Sequence, residues 1–195
     1  MSNHTGRLVL VPRDPRCAPD RNALTRALTA VGLLGPPLTP PQGRSSKADG
    51  DAYAVGQAFL QLVAFTGCAV QVAVAPESAA DRPFCHIHIV GPAPETEVLI
   101  GRNTRPPRCP ACRTPLRDWR ETMGPRARAE KSLVCTACGS SSPIYAWDWK
   151  ESGGCARLWL KLEEIFPGEA MPTDTLMQHL AEVTGNPWRH FYIQD

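Results

Sequence analysis

The apolar positions of this chain follow two rhythms, and each predicts a different kind of element. Arg7–Val11 (RLVLV) is a short apolar run and predicts a strand. Asp20 then precedes Leu24, Ala27, Leu28 and Val31, spaced as one helical face, with Gly32 at its end. A second helix is predicted from Asp51. Ala52, Val55, Phe59, Leu62 and Val63 form its apolar face, Thr66-Gly67 stops it, and Asp49-Gly50-Asp51 reads as the turn and cap. Alternation takes over at Ala69–Ala75, where Val70, Val72 and Val74 share a face, and again at Phe84–Val90 and Val98–Ile100. Ala156–Glu164 predicts a strand with Ala156, Leu158, Leu160 and Leu162 inward and Arg157, Trp159 and Lys161 outward. Thr173 caps a third helix with Leu176, Leu180 and Val183 on one face. Thr184-Gly185 stops it, and Trp188–Ile193 is the last strand.

The resulting fold class is α+β: a mixed β-sheet backed by about three helices. Residues 35–50, rich in Pro, Gly and Ser, read as a linker, and 165–172 as a rigid connection. Leu62, Thr66, Gly67 and Val70 match Leu180, Thr184, Gly185 and Trp188 at constant offset. Either a duplicated α-β unit or the common glycine stop accounts for that echo.

Between these elements lies a stretch with a different logic. Cys109-Pro110-Ala111-Cys112 is followed, after twenty-two residues, by Cys135-Thr136-Ala137-Cys138. Each C-x-x-C turn presents two thiolates to one metal, and two such turns close a tetrahedral shell. The implied cofactor is Zn2+, one structural ion per chain, with Cys109, Cys112, Cys135 and Cys138 as ligands. Iron in a rubredoxin-like site uses the same ligand set. Four thiolates leave no open coordination position, which argues against catalysis at the metal. Pro110 stiffens the first knuckle, and Gly139 follows the second where an unhindered backbone helps. Leu133 and Val134 enter the second knuckle as a strand. Pro143–Trp149 leaves it with Ile144, Ala146 and Asp148 on one face and Tyr145, Trp147 and Trp149 on the other.

This pattern resembles the zinc-ribbon class, whose members handle RNA and serve in transcription and translation. The class implies a small metal-stabilised β-element and no particular activity. The segments GRNTRPPRCPACR (101–113), IFPGEAMP (165–172) and TGNPWRHFY (184–192) together resemble a set of bacterial zinc-ribbon proteins. That resemblance covers most of the chain, implies a cytoplasmic bacterial protein, and carries over no catalytic residue. Strands on both sides make the ribbon an expected insertion. Residues 1–101 are the first part of the α+β domain, 102–150 the ribbon, and 151–195 the β-α-β part that completes it.

Composition narrows the partners. The 195 residues are 43% apolar, enough for a packed core, and twenty prolines imply stiff loops. The formal charge of +2 is cancelled by a zinc tetrathiolate, so nothing global favours nucleic acid. The charge is nevertheless uneven. Residues 102–131 carry nine Lys/Arg against Asp118, Glu121 and Glu130, while 161–195 carry six acids against Lys161 and Arg189. Arg102, Arg105, Arg108, Arg113, Arg117 and Arg120, with Trp119, are the candidate residues for binding a partner or a nucleic acid. A solvated face paired with the acidic segment is the plainer account. Among the five tryptophans, Trp147 and Trp188 are expected in the core, and Trp119 and Trp159 are left open. No apolar leader and no apolar stretch of membrane-spanning length is evident, and free thiols beside a thiolate metal site suit a reducing cytoplasm.

Two further candidates are weaker. His86 and His88 point the same way on a strand, about 7 Å apart, yet no third metal ligand is identifiable. Cys155, after Gly153-Gly154, is a conceivable nucleophile with neither a motif nor an assigned base. The expected function is therefore a non-enzymatic zinc-binding adaptor whose ribbon meets a protein partner. Nucleic-acid binding through the arginines is the first alternative, and a metal-dependent enzyme using His86 and His88 the second.

Overall fold

A computed structural model of the chain describes residues 6–38, 50–66, 84–123 and 128–194. β1 (Gly6–Pro12) leads into α1 (Arg21–Ala30), β2 (Leu34–Pro37), β3 (Asp51–Val55), the short α2 (Phe59–Leu62) and β4 (Val63–Phe65). After β5 (His86–Val90) and β6 (Glu97–Ile100), the cysteine-bearing stretch holds α3 (Trp119–Met123), β7 (Ser132–Val134) and β8 (Ser141–Pro143). β9 (Gly153–Ala156), β10 (Trp159–Glu163), β11 (Ala170–Pro172), α4 (Asp174–Thr184) and β12 (Trp188–Gln194) complete the order. Six strands form the main sheet in the order β12-β1-β10-β5-β3-β2. Every ladder among the described residues is antiparallel, so the α+β class holds while the expected mixed sheet does not.

Helices cover one face of this sheet. The Asp20 carboxylate accepts from the Ala23 N–H at 2.7 Å and starts α1. The Thr173 hydroxyl accepts from Leu176 N–H to start α4, and Gly185, at φ +66°, ends it. Leu24 and Leu28 of α1 and Leu176 and Leu180 of α4 pack with Leu8, Leu10, Ile87, Ile89, Leu160 and Leu162 of the sheet. Each such leucine, fully withdrawn from water, contributes roughly 1.5–3 kcal/mol. Amphipathic docking therefore holds these helices more firmly than their intrinsic propensity does.

The opposite face is buried as well. Val9, Val11, Trp159, Phe191 and Ile193 meet Ala156 of β9, with Leu99 of β6 packed beside them. Trp159 is thus a core residue and not the outward-facing one that simple alternation suggests; its ring meets Phe191 edge-on at 6.4 Å. The β6–β9 pair is a two-faced layer. Leu99 and Ala156 face the sheet, while Val98, Ile100 and Cys155 face the cysteine-bearing stretch. The period of two makes one ribbon serve two cores. Gly154 lies under Phe191, where a Cβ would come within 2.8 Å of the ring.

Several expected elements take other forms. Asp51 opens no helix. Residues 51–55 pair with β5 (Asp51 with Ile89, Tyr53 with Ile87), and Asp51 forms an ion pair with Arg21 at 2.6 Å. The helical spacing from Ala52 to Phe59 is broken by Gly56, which crosses directly against the Gly32 carbonyl and donates to Leu33. Only Phe59–Leu62 is helical, so the echo with Thr184-Gly185 has no helix end at Thr66 to support it. Pro143–Trp149 is likewise no continuous strand, because a 3-10 turn at Ile144–Ala146 follows β8 and buries Ile144, Trp147 and Trp149 together. The connection 165–172 contains β11, paired with β4. The expected strand Ala69–Ala75, Gly67, Arg126 and most of the linker lie outside the described residues.

Candidate metal centre

The two cysteine turns have the same backbone construction. In the first, the Cys109 N–H donates to Thr114 O and the Cys109 carbonyl accepts from Arg113 N–H, both at 2.9 Å. In the second, Cys135 N–H donates to Ser140 O and its carbonyl accepts from Gly139 N–H, both at 2.8 Å. Arg113 and Gly139 occupy equivalent positions and share the left-handed conformation, at φ 63° and 74°. Each turn is the tip of a short antiparallel pair, Arg108 with Pro115 and Val134 with Ser141. The C-x-x-C spacing thus folds twice into one knuckle shape.

The knuckles face each other across their sulfurs. Cys109 Sγ lies 3.8 Å from Cys138 Sγ, and Cys112 Sγ lies 3.6 Å from Cys135 Sγ. All four ligand atoms fall within 4.8 Å of one another. A tetrahedron with metal–sulfur bonds of about 2.3 Å has edges of about 3.8 Å. The spacing matches that geometry and is far longer than a disulfide bond. The residues therefore fit a metal ion, and this is the only such group of potential ligands among the described residues. Cys109 and Cys135 are buried and Cys112 and Cys138 exposed, so the site lies at the rim of its own small core.

The surroundings favour thiolates on one side of the cluster. The Ser140 hydroxyl, with the N–H groups of Cys112 and Ala111, lowers the Cys109 thiol to about 6 against burial. Hydrogen bonds from Thr114 lower Cys112 in the same way. Cys135 goes up to about 11. The N–H groups of Cys138 and Ala137 pull it down, but burial and the thiols of Cys112 and Cys138 outweigh them. Four crowded thiols share their protons, and a dication would displace them.

The core under the knuckles is aromatic. Trp119 meets Trp149 edge-on at 5.6 Å, and Trp147 lies in the same cluster with Leu116, Met123, Leu133 and Ile144. Both neighbouring indole N–H groups are satisfied, Trp147 by Ser142 O and Trp149 by Ile144 O at 3.2 Å each. Trp119 is only 6% exposed, and Arg120 stacks over its ring at 4.3 Å. Its ring therefore packs mainly into this core and under the Arg120 guanidinium.

Arg102, Arg105, Arg108, Arg113, Arg117 and Arg120 are all exposed. Arg113 pairs with Asp148 at 2.7 Å, and Arg120 donates to the Gly101 carbonyl at 2.8 Å. Arg102, Arg105, Arg108 and Arg117 have no ion-pair partner among the described residues. Among the described residues, the acids that pair with ribbon arginines are Asp148 and Glu95, and no pair reaches the acidic C-terminal segment. Ser140, Asp148 and Lys150 escaped the sequence reading. Ser140 follows the Cys138-Gly139 signature directly, whereas Asp148 and Lys150 carry no motif.

His86 and His88 lie 4.8 Å apart, ring to ring, and the Phe84 carbonyl is 2.8 Å from His86 Nδ1. No third ligand joins them among the described residues. Cys155 lies on β9, 1% exposed, and its thiol is pushed up to about 12 by burial, with Arg189 opposing. That is an inert thiol and no nucleophile on a flexible turn. No helix of the described residues is long and apolar enough to cross a membrane. Compared with known proteins, the chain matches no protein-family model, no curated protein and no solved structure.

Proposed function

We propose that the four cysteines hold one structural Zn2+, and that residues 102–150 are a zinc ribbon inserted in an α+β domain. The chain then acts as a non-enzymatic adaptor, the ribbon offering a basic surface to an acidic protein partner. The observation that carries this reading is the four-cysteine cluster beside exposed arginines that lack ion-pair partners among the described residues. A four-sulfur site leaves zinc no position for substrate, so its contribution is to shape the backbone that aims those arginines. Burial of Trp119 makes the surface basic and not aromatic.

Nucleic acid is the second reading, favoured by the same exposed guanidiniums, which suit phosphate. Loss of Trp119 as a stacking platform counts against single strands. One experiment separates the two. Zinc-loaded wild-type protein and an Arg102→Glu/Arg117→Glu variant are each used to capture partners from the native cell, with and without nuclease. A protein captured by wild type, resistant to nuclease and lost with the reversed charges supports the adaptor. Capture that nuclease abolishes transfers the surface to nucleic acid, and capture indifferent to the charge reversal removes the surface from both readings.

A further inference from the structure

A cleft of about 770 Å³ opens where the ends of the cysteine-bearing stretch meet β12. Its volume is that of a small-molecule site. Arg105, Arg108 and Lys150 line it together, with Glu151 as its one acidic side chain and Pro106 and Pro115 as apolar wall. These residues come from two segments far apart in sequence, so the cluster exists only in the folded chain.

The walls are tied at many points. The Arg105 N–H donates to Ser152 Oγ at 3.1 Å, and the Thr104 hydroxyl donates to the Ser152 carbonyl at 2.5 Å. Arg108 and Asp148 exchange both backbone hydrogen bonds, at 2.9 and 3.0 Å. Asn103 clamps β12, donating to Tyr192 O and accepting from Gln194 N–H, each at 2.9 Å. Tyr192 N–H in turn donates to Glu151 O. Lys150 is held at φ 54°, a left-handed conformation that a side chain adopts at a cost, with its ammonium 3.0 Å from Asp148. Arg108 immediately precedes the ligand Cys109, so the knuckle anchors this wall.

Arg105 and Arg108 line this cleft without an anionic partner among the described residues, and Lys150, which also lines it, pairs with Asp148, so like charges gather there. An anion there relieves their repulsion and replaces it with charge-assisted hydrogen bonds. We propose that this cleft binds a small organic diphosphate, with the two guanidiniums on its phosphates and Lys150 completing the charge. Two guanidiniums match two adjacent phosphates better than one carboxylate, and the proline wall leaves an apolar surface for the organic part. The inference stands apart from the adaptor reading, because it requires no macromolecular partner.

The test is calorimetric titration of zinc-loaded full-length protein with pyrophosphate, adenosine diphosphate, adenosine and a short oligonucleotide, at low salt. Pyrophosphate and adenosine diphosphate are expected to bind and adenosine not to. Arg105→Ala/Arg108→Ala is expected to weaken both at least tenfold while zinc content stays at one per chain. Arg26→Ala, an exposed arginine of α1 outside the cleft, is expected to leave binding unchanged. The proposal is overturned by absence of pyrophosphate binding, by equal loss in the Arg26 variant, or by full affinity in the double variant. Binding of the oligonucleotide alone overturns it too, and assigns the arginines to a phosphodiester backbone.

Discussion

Replacing Cys138 with serine is the sharpest perturbation of the metal centre. Cys138 is exposed, so the smaller oxygen removes a ligand without opening a cavity in the core. Its sulfur lies 3.8 Å from Cys109 Sγ and 3.1 Å from Ser140 Oγ, so the loss falls on the metal shell and one weak hydrogen bond. Structural zinc binding is worth roughly 10–16 kcal/mol at neutral pH, which the proposed site would divide among four thiolates. One ligand is therefore worth about 3 kcal/mol, and Cys138→Ser should weaken zinc binding by about two orders of magnitude. Competition with a chromophoric chelator measures that affinity, and elemental analysis counts the zinc. Thr136→Ala, exposed in the same knuckle and not a ligand, is the control and should retain wild-type affinity. Three of the five tryptophans pack beneath the knuckles, so metal loss should also red-shift the emission. Wild-type zinc affinity in Cys138→Ser, or unchanged emission after zinc is removed, would refute the reasoning.

Gly139→Ala tests the second knuckle's backbone. A Cβ there meets nothing within 4 Å, so the cost is only that of φ +74°, about 1–2 kcal/mol of stability, with one zinc per chain retained; chemical denaturation of the loaded protein measures it. His190 sets a pH dependence. Burial lowers its pKa, with Arg189 adding to the shift and Glu151 opposing it, and its Nε2 has no hydrogen-bond partner among the described residues. The unfolded chain then holds the proton more readily, so stability should fall as pH drops through about 6.5 and level off below the folded value. Melting temperatures of zinc-loaded wild type and His190→Gln between about pH 5 and 8 should differ in slope only in that window.

The residues that encode their structure locally could be read in advance. Asp20, Thr173 and Gly185 cap helices through contacts within a few residues of themselves, and the C-x-x-C turns close their own hydrogen bonds. The apolar run of β1 is buried on both faces and pairs with β12 along its full length, so its composition alone announces it. The clustering of the four cysteines was legible because the C-x-x-C spacing that suits metal ligation constrains each knuckle locally. Tertiary structure decided the rest. Asp51–Val55 is a strand because β5 offers it an edge, although its spacing also suits a helix. Trp159 is buried because a second layer covers the sheet, and Trp119 because Trp149 returns to it from the far side of the knuckles. Whether an arginine finds an acid, lines a cleft or faces water depends on which distant segments fold beside it. That is why the cysteine cluster was visible in the sequence and the cleft lined by Arg105, Arg108 and Lys150 was not.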